Sequence, residues 1–132
     1  MVRRAILDTS ILIDADAPPE EMSTAISTVT IAELHFGLLV SRDEQTRASR
    51  ATRLGLVEAR YPDPLGIDDR VAREWGRLQA AVVSRGAKSR RRSADLAIAA
   101  TANVHDAILV TLNVKDFKII DDLVQVRTPG EL

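Results

Sequence analysis

The chain has 132 residues, of which 18 are basic, 19 are acidic and none is cysteine, so its net charge is −1. We expect a single domain over residues 1–132 at this length, and the lack of cysteine excludes disulfides, thiolate zinc sites and cysteine nucleophiles. The near-neutral charge provides no overall field that would attract nucleic acid, and no apolar run approaches the roughly 20 residues of a membrane-spanning helix. We therefore expect a cytoplasmic protein without a membrane contact, whose function depends on local features.

The first half of the chain alternates short apolar runs with apolar residues at helical spacing. It predicts two strands, at residues 4–8 and 25–29, and three helices, at residues 11–15, 31–41 and 44–60. The first strand ends on Asp8, and Pro18 and Pro19 stop the short helix that follows it. Thr30 is placed to cap the helix that begins at residue 31.

The second half of the chain repeats this alternation. It predicts short strands at residues 65–67, 107–110 and 124–126, and helices that run from a cap at Asp68 or Asp69 to about Gly86 and from a cap at Ser93 to about Val104. A loop over residues 111–118 separates the last two strands. Strands that alternate with helices favour an α/β fold with a mostly parallel, twisted sheet of four or five strands and helices on both faces.

Four acidic residues fall at comparable positions in these elements. Asp8 ends the first strand, Glu33 begins the helix after the second strand, Asp95 begins the last helix, and Asp116 follows the strand at residues 107–110. Each has an ordinary explanation when taken alone, such as a helix cap, a first-turn acid or a turn residue. Together they fall along one edge, because the carboxyl ends of parallel strands and the first turns of the following helices lie side by side.

A cluster of four carboxylates predicts a bound divalent cation. The carboxylates would repel one another without it, and an all-oxygen ligand set favours Mg²⁺ or Mn²⁺ over zinc or copper. A metal held in this way lowers the pKa of a bound water and neutralises charge on a phosphate, so the cluster predicts hydrolysis of phosphodiester bonds. Ser10, Thr111 and Asn113 neighbour the acids and could orient ligands or waters, although such residues are equally typical of caps and turns.

Four segments of the chain resemble the motifs of PIN domains. They are Leu7-Asp8-Thr9-Ser10, Ala32-Glu33-Leu34, residues 94–102 (ADLAIAATA) and residues 110–117 (VTLNVKDF). They occur in the family's order and extend over nearly the whole chain. The sequence is most similar to the VapC toxins of bacterial type II toxin–antitoxin modules.

The resemblance implies a fold, an activity and partners. The fold is an α/β/α sandwich that dimerises, and the activity is cleavage of RNA by an endoribonuclease that depends on Mg²⁺ or Mn²⁺. A VapB-type antitoxin is expected to silence the protein in a toxin–antitoxin complex. The family's acids correspond to Asp8, Glu33, Asp95 and Asp116, and its conserved polar residues to Ser10, Thr111 and Asn113. Leu112 departs from the pattern, because an arginine is common at this position in the family.

A group of basic residues lies between the last two predicted helices. It comprises Arg85, Lys88, Arg90, Arg91 and Arg92. Because this basic cluster leads directly into the helix that carries Asp95, it is placed to hold RNA phosphates near the metal. A solvated loop is an equally good interpretation. The apolar surface with Phe36 and Val40 is likewise open between a dimer surface, an antitoxin surface and core.

Two other functional classes fit parts of the sequence. A non-catalytic α/β binding module would use the same acids as structural residues. A receiver-like phosphoryl-transfer domain also gathers acids at a sheet edge, but it should have paired acids at the end of its first strand and a lysine after its last. The related aspartate-nucleophile phosphatases need a second aspartate two residues after the first, where this chain has Ser10.

Overall fold

A computed structural model describes residues 3–14 and 22–132 of the chain. In these ranges the chain forms four strands, β1 (Arg3–Leu7), β2 (Met22–Ala25), β3 (Ile108–Val110) and β4 (Val126–Arg127). It also forms five α-helices, α1 (Thr9–Asp14), α2 (Thr28–Leu39), α3 (Glu44–Arg60), α4 (Asp69–Ser84) and α5 (Ser93–Val104), and 3-10 segments at Arg90–Arg92, Val114–Ile120 and Pro129–Glu131. The predicted stop of the first helix at Pro18 and Pro19 lies outside the described residues.

The four strands form one parallel sheet in the order β2-β1-β3-β4, which confirms the predicted α/β class. Ala5 on β1 pairs with Thr24 on β2 and with Ile108 on β3. Because β1 and β3 are the two central strands and run parallel, their carboxyl ends meet at one edge of the sheet. Asp8 follows β1 and Thr111 follows β3, so the sheet itself brings these two residues together.

Helices cover both faces of the sheet, as the sequence predicted. Ile6 and Leu109 point into a core that they share with α4 and α5. Leu7 and Val110 belong to a second core with α1, α2 and α3. This division follows from the alternation of side chains along a strand, which sends neighbouring residues to opposite faces.

Helices α4 and α5, which pack on the same face of the sheet, differ in how much of their surface they bury. Asp68 caps α4 by accepting a hydrogen bond from the backbone N–H of Val71, and Val71, Leu78 and Val82 form its buried stripe. In α5 every residue from Leu96 to Ala102 is buried, so this helix is surrounded by protein and fixes the position of Asp95 in its first turn. Within residues 3–14 and 22–132, no helix has the combination of length and hydropathy that a membrane crossing requires.

The predicted boundaries around β2 were displaced towards the C-terminus. The strand ends at Ala25, and Ser27 rather than Thr30 caps α2 by accepting a hydrogen bond from Val29 N. Both residues have a suitable capping oxygen, so local sequence does not separate them. Thr30 is instead fully buried, with its hydroxyl 3.2 Å from that of Thr9.

Four further boundaries differ from the prediction. The strand expected at residues 65–67 is reduced to a single bridge between Leu65 and Ser27. Ser93 is the first residue of α5 and not its cap, a position that Arg92 occupies without a side-chain cap bond. The 3-10 segment Val114–Ile120 occupies most of the loop expected at residues 111–118, and the last strand, predicted at residues 124–126, is β4.

Candidate active site

Asp8 is the most constrained acid of the candidate site. It continues the ladder beyond β1 by donating its backbone N–H to Val110 O at 2.9 Å, and its side chain is only 6% exposed. The hydroxyls of Ser10 and Thr111 each donate to the same carboxylate oxygen, Oδ2, at 2.8 Å. Charge-assisted hydrogen bonds of this kind hold a buried carboxylate in one orientation.

The hydroxyls that hold Asp8 are themselves held by backbone groups. Ser10 Oγ accepts a hydrogen bond from Leu112 N at 3.1 Å, and Thr111 Oγ1 accepts one from Asn113 N at 3.0 Å. Each hydroxyl therefore has its proton directed to the carboxylate. The structure brings Ser10 and Thr111 to Asp8 by their side chains, whereas Asn113 takes part through its main chain.

Glu33 was predicted to begin its helix, but α2 begins at Thr28 and Glu33 lies in its second turn. Its side chain is held by a residue that the sequence analysis did not select. Thr9 Oγ1 lies 2.7 Å from Glu33 Oε1 and donates a hydrogen bond to it. Burial raises the pKa of Glu33, with a smaller contribution from the charge of Asp8, while the Thr9 bond opposes the rise. Thr30 and Glu33 are three residues apart and share a face of α2, and both contact Thr9. This spacing was the sequence signal that could have indicated a polar contact at Glu33.

The other three predicted acids all lie within electrostatic reach of Asp95. Burial, and then the charges of Asp8, Glu33 and Asp116, raise the pKa of Asp95 to about 6, against a smaller opposing effect of Arg92. Repulsion of this kind requires nearby acids. Acidic residues from four separate segments therefore contribute to the environment of Asp95 at this edge of the sheet.

Asp116 differs from the other three acids because it is exposed and lies on a 3-10 segment, Val114–Ile120. Its main-chain oxygen accepts a hydrogen bond of 2.7 Å from Arg92 Nη1. A cleft of ≈ 530 Å³ lies between this segment and the start of α5, and its lining residues are Ala87, Lys88, Arg91, Arg92, Asp95 and Asp116. Acidic and basic side chains thus share one opening.

The members of the basic cluster are not equivalent. Lys88 and Arg91 are exposed at the wall of the cleft, and Arg90 is exposed but does not line it. Arg85 forms a two-pronged ion pair with Asp122 at 2.7 and 3.0 Å and donates to Ile119 O at 2.6 Å. Three of the five predicted residues therefore line the cleft beside the acids, and Arg85 is engaged with the protein itself.

The acids fit a hard divalent cation in chemistry, although they do not form a closed cage. Among residues 3–14 and 22–132, no three acidic, histidine or cysteine side chains are placed as a ready metal-binding group. Mg²⁺ keeps several of its waters and is bound through one or two carboxylates together with substrate phosphates, so it does not need such a group. Oδ1 of Asp8 and the carboxylates of Asp95, Glu33 and Asp116 are the donors that would hold it.

Comparison with known proteins assigns the family. The family model of the PIN domain matches residues 5–123. The chain belongs to the PIN-domain family. This PIN domain is 34% identical over 128 residues to a protein named Ribonuclease VapC4 from Mycobacterium tuberculosis, which covers 92% of this chain and 95% of the relative. It is 33% identical over 130 residues to Ribonuclease VapC5 from the same organism, covering 92% and 91%.

Solved structures agree with this assignment. The PIN domain superposes with a TM-score of 0.77 and 31% identity on a chain of VapBC-5, a member of the VapBC family of toxin–antitoxin systems from Mycobacterium tuberculosis, covering 95% of this chain and 96% of that one. The superposition on a chain of FitAcB from Neisseria gonorrhoeae has a TM-score of 0.75 at 23% identity and supports the fold alone. The predicted PIN-like fold and resemblance to VapC are confirmed, and the receiver-like alternative is wrong.

Proposed function

We propose that this PIN domain is a Mg²⁺- or Mn²⁺-dependent endoribonuclease that acts as the toxin of a type II toxin–antitoxin module. The observation that carries the proposal is that Asp8, Glu33 and Asp116 lie near enough to Asp95 for their charges, after burial as the larger cause, to raise its pKa to about 6. Relatives named as ribonucleases that align over 92% of the chain support RNA as the substrate class. A cytoplasmic location and a single domain over residues 1–132 remain predictions.

The residues of the site divide the work of phosphodiester hydrolysis between them. A bound divalent cation would activate a water and neutralise charge on the phosphate. Asp8 is presented by Ser10 and Thr111 as a fixed ligand, so little reorganisation is needed when the substrate binds. Burial raises the pKa of Glu33 while the hydrogen bond from Thr9 lowers it and orients the carboxylate, which suits a group that accepts a proton from water.

The basic wall of the cleft is the proposed RNA-binding surface. Lys88 and Arg91 line the same opening as Asp95 and Asp116, so a phosphate held by them lies next to the acids. Contacts between basic side chains and phosphates supply affinity without sequence selection. Aromatic residues make up only 3% of the chain, so stacking on bases contributes less than these charges do.

We propose a VapB-type antitoxin as the protein partner, in a toxin–antitoxin hetero-oligomer built on a toxin homodimer. A groove of ≈ 390 Å³ next to Glu33 is lined by Ile13, Leu34 and Val40 together with Arg50 and Arg53. Phe36 and Leu39 of α2 are exposed by 68% and 66%. Exposed apolar side chains of this size are typical of protein interaction surfaces. The crystal structure of VapBC-5, to which the chain is similar, comes from a toxin–antitoxin system and supports this partner.

The catalytic proposal is tested by exchanging single acids in the full chain. Asp8→Asn and Asp95→Asn should each abolish Mg²⁺-dependent cleavage of RNA while circular dichroism and thermal melting show a folded protein. Asp63→Asn, an exposed acid outside the site, is the matched control and should retain wild-type cleavage. Full activity in both site variants would instead leave a non-catalytic binding module as the function.

The chemistry is tested on the ends of the RNA products. Water activated by a metal gives a 5′-phosphate and a 3′-hydroxyl, whereas attack by the RNA's own hydroxyl gives a 2′,3′-cyclic phosphate. Removal of metal with EDTA should stop cleavage, and either Mg²⁺ or Mn²⁺ should restore it. Cyclic phosphate ends, or cleavage that persists in EDTA, would contradict the proposal.

The toxin assignment is tested in growing bacteria. Expression of the chain should arrest growth, and expression of Asp95→Asn should not. Co-expression of the product of an adjacent gene for a small DNA-binding protein should restore growth and give a purified complex of the two proteins. Light scattering of the chain alone measures the expected homodimer. Normal growth during production of active wild-type protein would count against a toxin.

A further inference from the structure

Two arginines from one connection hold the segment that carries Asp116. The 3-10 segment Val114–Ile120 follows β3 without belonging to the sheet. Arg92 donates to the main-chain oxygen of Asp116 at 2.7 Å, and Arg85 donates to that of Ile119 at 2.6 Å. Both arginines lie between α4 and α5, so this connection fastens the segment near each of its ends.

Arg92 also stands beside the acid on the other wall of the cleft. It is the residue directly before α5 and precedes Asp95 by one helical turn. Its side chain is half-buried and lines the cleft with both Asp95 and Asp116. A single guanidinium therefore connects the helix of one candidate metal ligand to the turn of another.

We propose that Arg92 is a positioning residue that sets the separation of the Asp95 and Asp116 carboxylates by tying the Asp116 turn to the start of α5. The inference rests on the proposed function and changes the role expected for one member of the basic cluster. Its planar guanidinium has several donors in a fixed arrangement, which suits it to hold a carbonyl in place. Lys88 and Arg91 remain the residues of the cleft wall that are free to contact phosphate.

Whether removal of Arg92 weakens or tightens metal binding distinguishes a positioning role from a purely electrostatic one. A positive charge near a cation site repels the cation, so removal of an arginine that acted only by charge would tighten metal binding. Removal of an arginine that holds two ligands in place would weaken it. Loss of residues that orient metal ligands typically lowers metal affinity by roughly 10- to 100-fold.

The experiment measures Mn²⁺ binding to the full chain without RNA, by electron paramagnetic resonance or calorimetry. Arg92→Ala should raise the Kd for Mn²⁺ by roughly 10-fold, and Arg92→Lys, which keeps the charge and one donor, should fall between it and the wild type. Arg91→Ala is the matched control from the same cleft and should bind Mn²⁺ as tightly as the wild type or more tightly. Unchanged or tighter Mn²⁺ binding by Arg92→Ala would overturn the inference.

Two further measurements keep the test independent of nuclease activity and of folding. Amide hydrogen exchange of residues 114–120 should accelerate in Arg92→Ala and stay at the wild-type rate in Arg91→Ala. If Arg92→Ala does not fold, the Kd of Arg92→Lys decides, and a wild-type value would overturn the inference. A wild-type chain that binds no Mn²⁺ would instead refute the proposed metal dependence, so the two failures are distinguishable.

Discussion

The two ends of the site hold their acids in opposite ways. Asp8 follows a central strand, is 6% exposed and receives two hydroxyl hydrogen bonds on one oxygen. Asp116 is exposed on a 3-10 segment outside the sheet, and its main chain is held from across the cleft by Arg92. One carboxylate is fixed by neutral donors within the core, and the other depends on a charged side chain at the surface.

The difference has a physical consequence for metal binding and turnover. Neutral hydroxyl donors orient Asp8 without adding positive charge that would compete with a cation. Around Asp116 the donor is charged. The Arg92 guanidinium partly neutralises the acids, and its positive charge also repels a bound cation. We therefore expect Asp8 to be the permanent anchor of the site, whereas the position of Asp116 depends on its contact with Arg92.

The largest expected effect is that loss of the Asp8 carboxylate lowers kcat/KM much more than loss of the Asp116 carboxylate. Asp8→Asn should lower kcat/KM for RNA cleavage in Mg²⁺ by more than about 100-fold, since a direct ligand matters more than a supporting residue. Asp116→Asn should lower it by about 10-fold, because a water can replace an exposed carboxylate. Equal losses in the two variants would show that the exposed acid is as essential to catalysis as the buried one.

The next effect comes from the hydroxyl that supports Asp8. Thr111→Val should lower kcat/KM by roughly 10-fold and the free energy of unfolding by about 1–3 kcal/mol. The stability loss arises because the Asp8 carboxylate and the N–H of Asn113 both lose a partner at a fully buried position. Thr111→Ser keeps the hydroxyl and should recover most of the activity. A Val variant with wild-type rate would mean that Ser10 alone orients Asp8.

The parts of the molecule that could be predicted from sequence are those in which local signals agree. Residues 44–60 were predicted as a helix and form α3, because Asp43 caps its start and Pro62 follows its end. Asp8 and Asp95 were found because Asp8 directly follows a strand and Asp95 lies in the first turn of a helix. Their placement on one edge then required only the parallel topology.

Two supporting contacts could not be predicted because each joins residues that are distant in sequence and carry no shared motif. Arg92 and Asp116 are 24 residues apart, and Thr9 and Glu33 are also 24 apart. No periodicity marks such pairs, and a hydroxyl or an arginine in a loop has many ordinary explanations. The 3-10 segment Val114–Ile120 was likewise missed. Its apolar Val114, Phe117 and Ile120 recur every third residue, but a run of seven residues is too short for this spacing to separate a helical segment from a loop.

The self-repulsion of the site predicts that activity and stability conflict at Asp95. The pKa of Asp95 is about 6 in the folded protein, above the ordinary value of 3.8. Below about pH 3.8 the carboxyl is protonated in both the folded and the unfolded state, so it does not lower the free energy of unfolding. As pH rises from about 3.8 to 6, the unfolded chain releases the proton first and the folded protein loses stability. Asp95→Asn should therefore be more stable than the wild type above pH 6.

This gain is measurable by thermal unfolding in EDTA. Because the Asp95 side chain is only partly buried, solvent screening reduces the expected gain to roughly 1 kcal/mol at pH 8. The gain should disappear at pH 4, and saturating Mg²⁺ should stabilise the wild type at pH 8 more than the variant. A variant that is less stable than the wild type at pH 8 in EDTA would show that Asp95 contributes to the fold by a favourable contact.

The smallest expected effect separates the members of the basic cluster in RNA binding. The slope of log affinity against log salt for a single-stranded RNA, measured in EDTA, should fall by about 0.7 in Arg91→Gln, since one phosphate contact is lost. Arg85→Gln should leave the slope within error, because Arg85 is paired with Asp122 and with Ile119 O. Arg92→Gln should resemble Arg85→Gln if its guanidinium holds Asp116 and not RNA. A slope that falls equally in all three variants would mean that phosphates compete successfully for arginines already engaged with the protein. The difference between the two ends of the site would then apply to the acids alone.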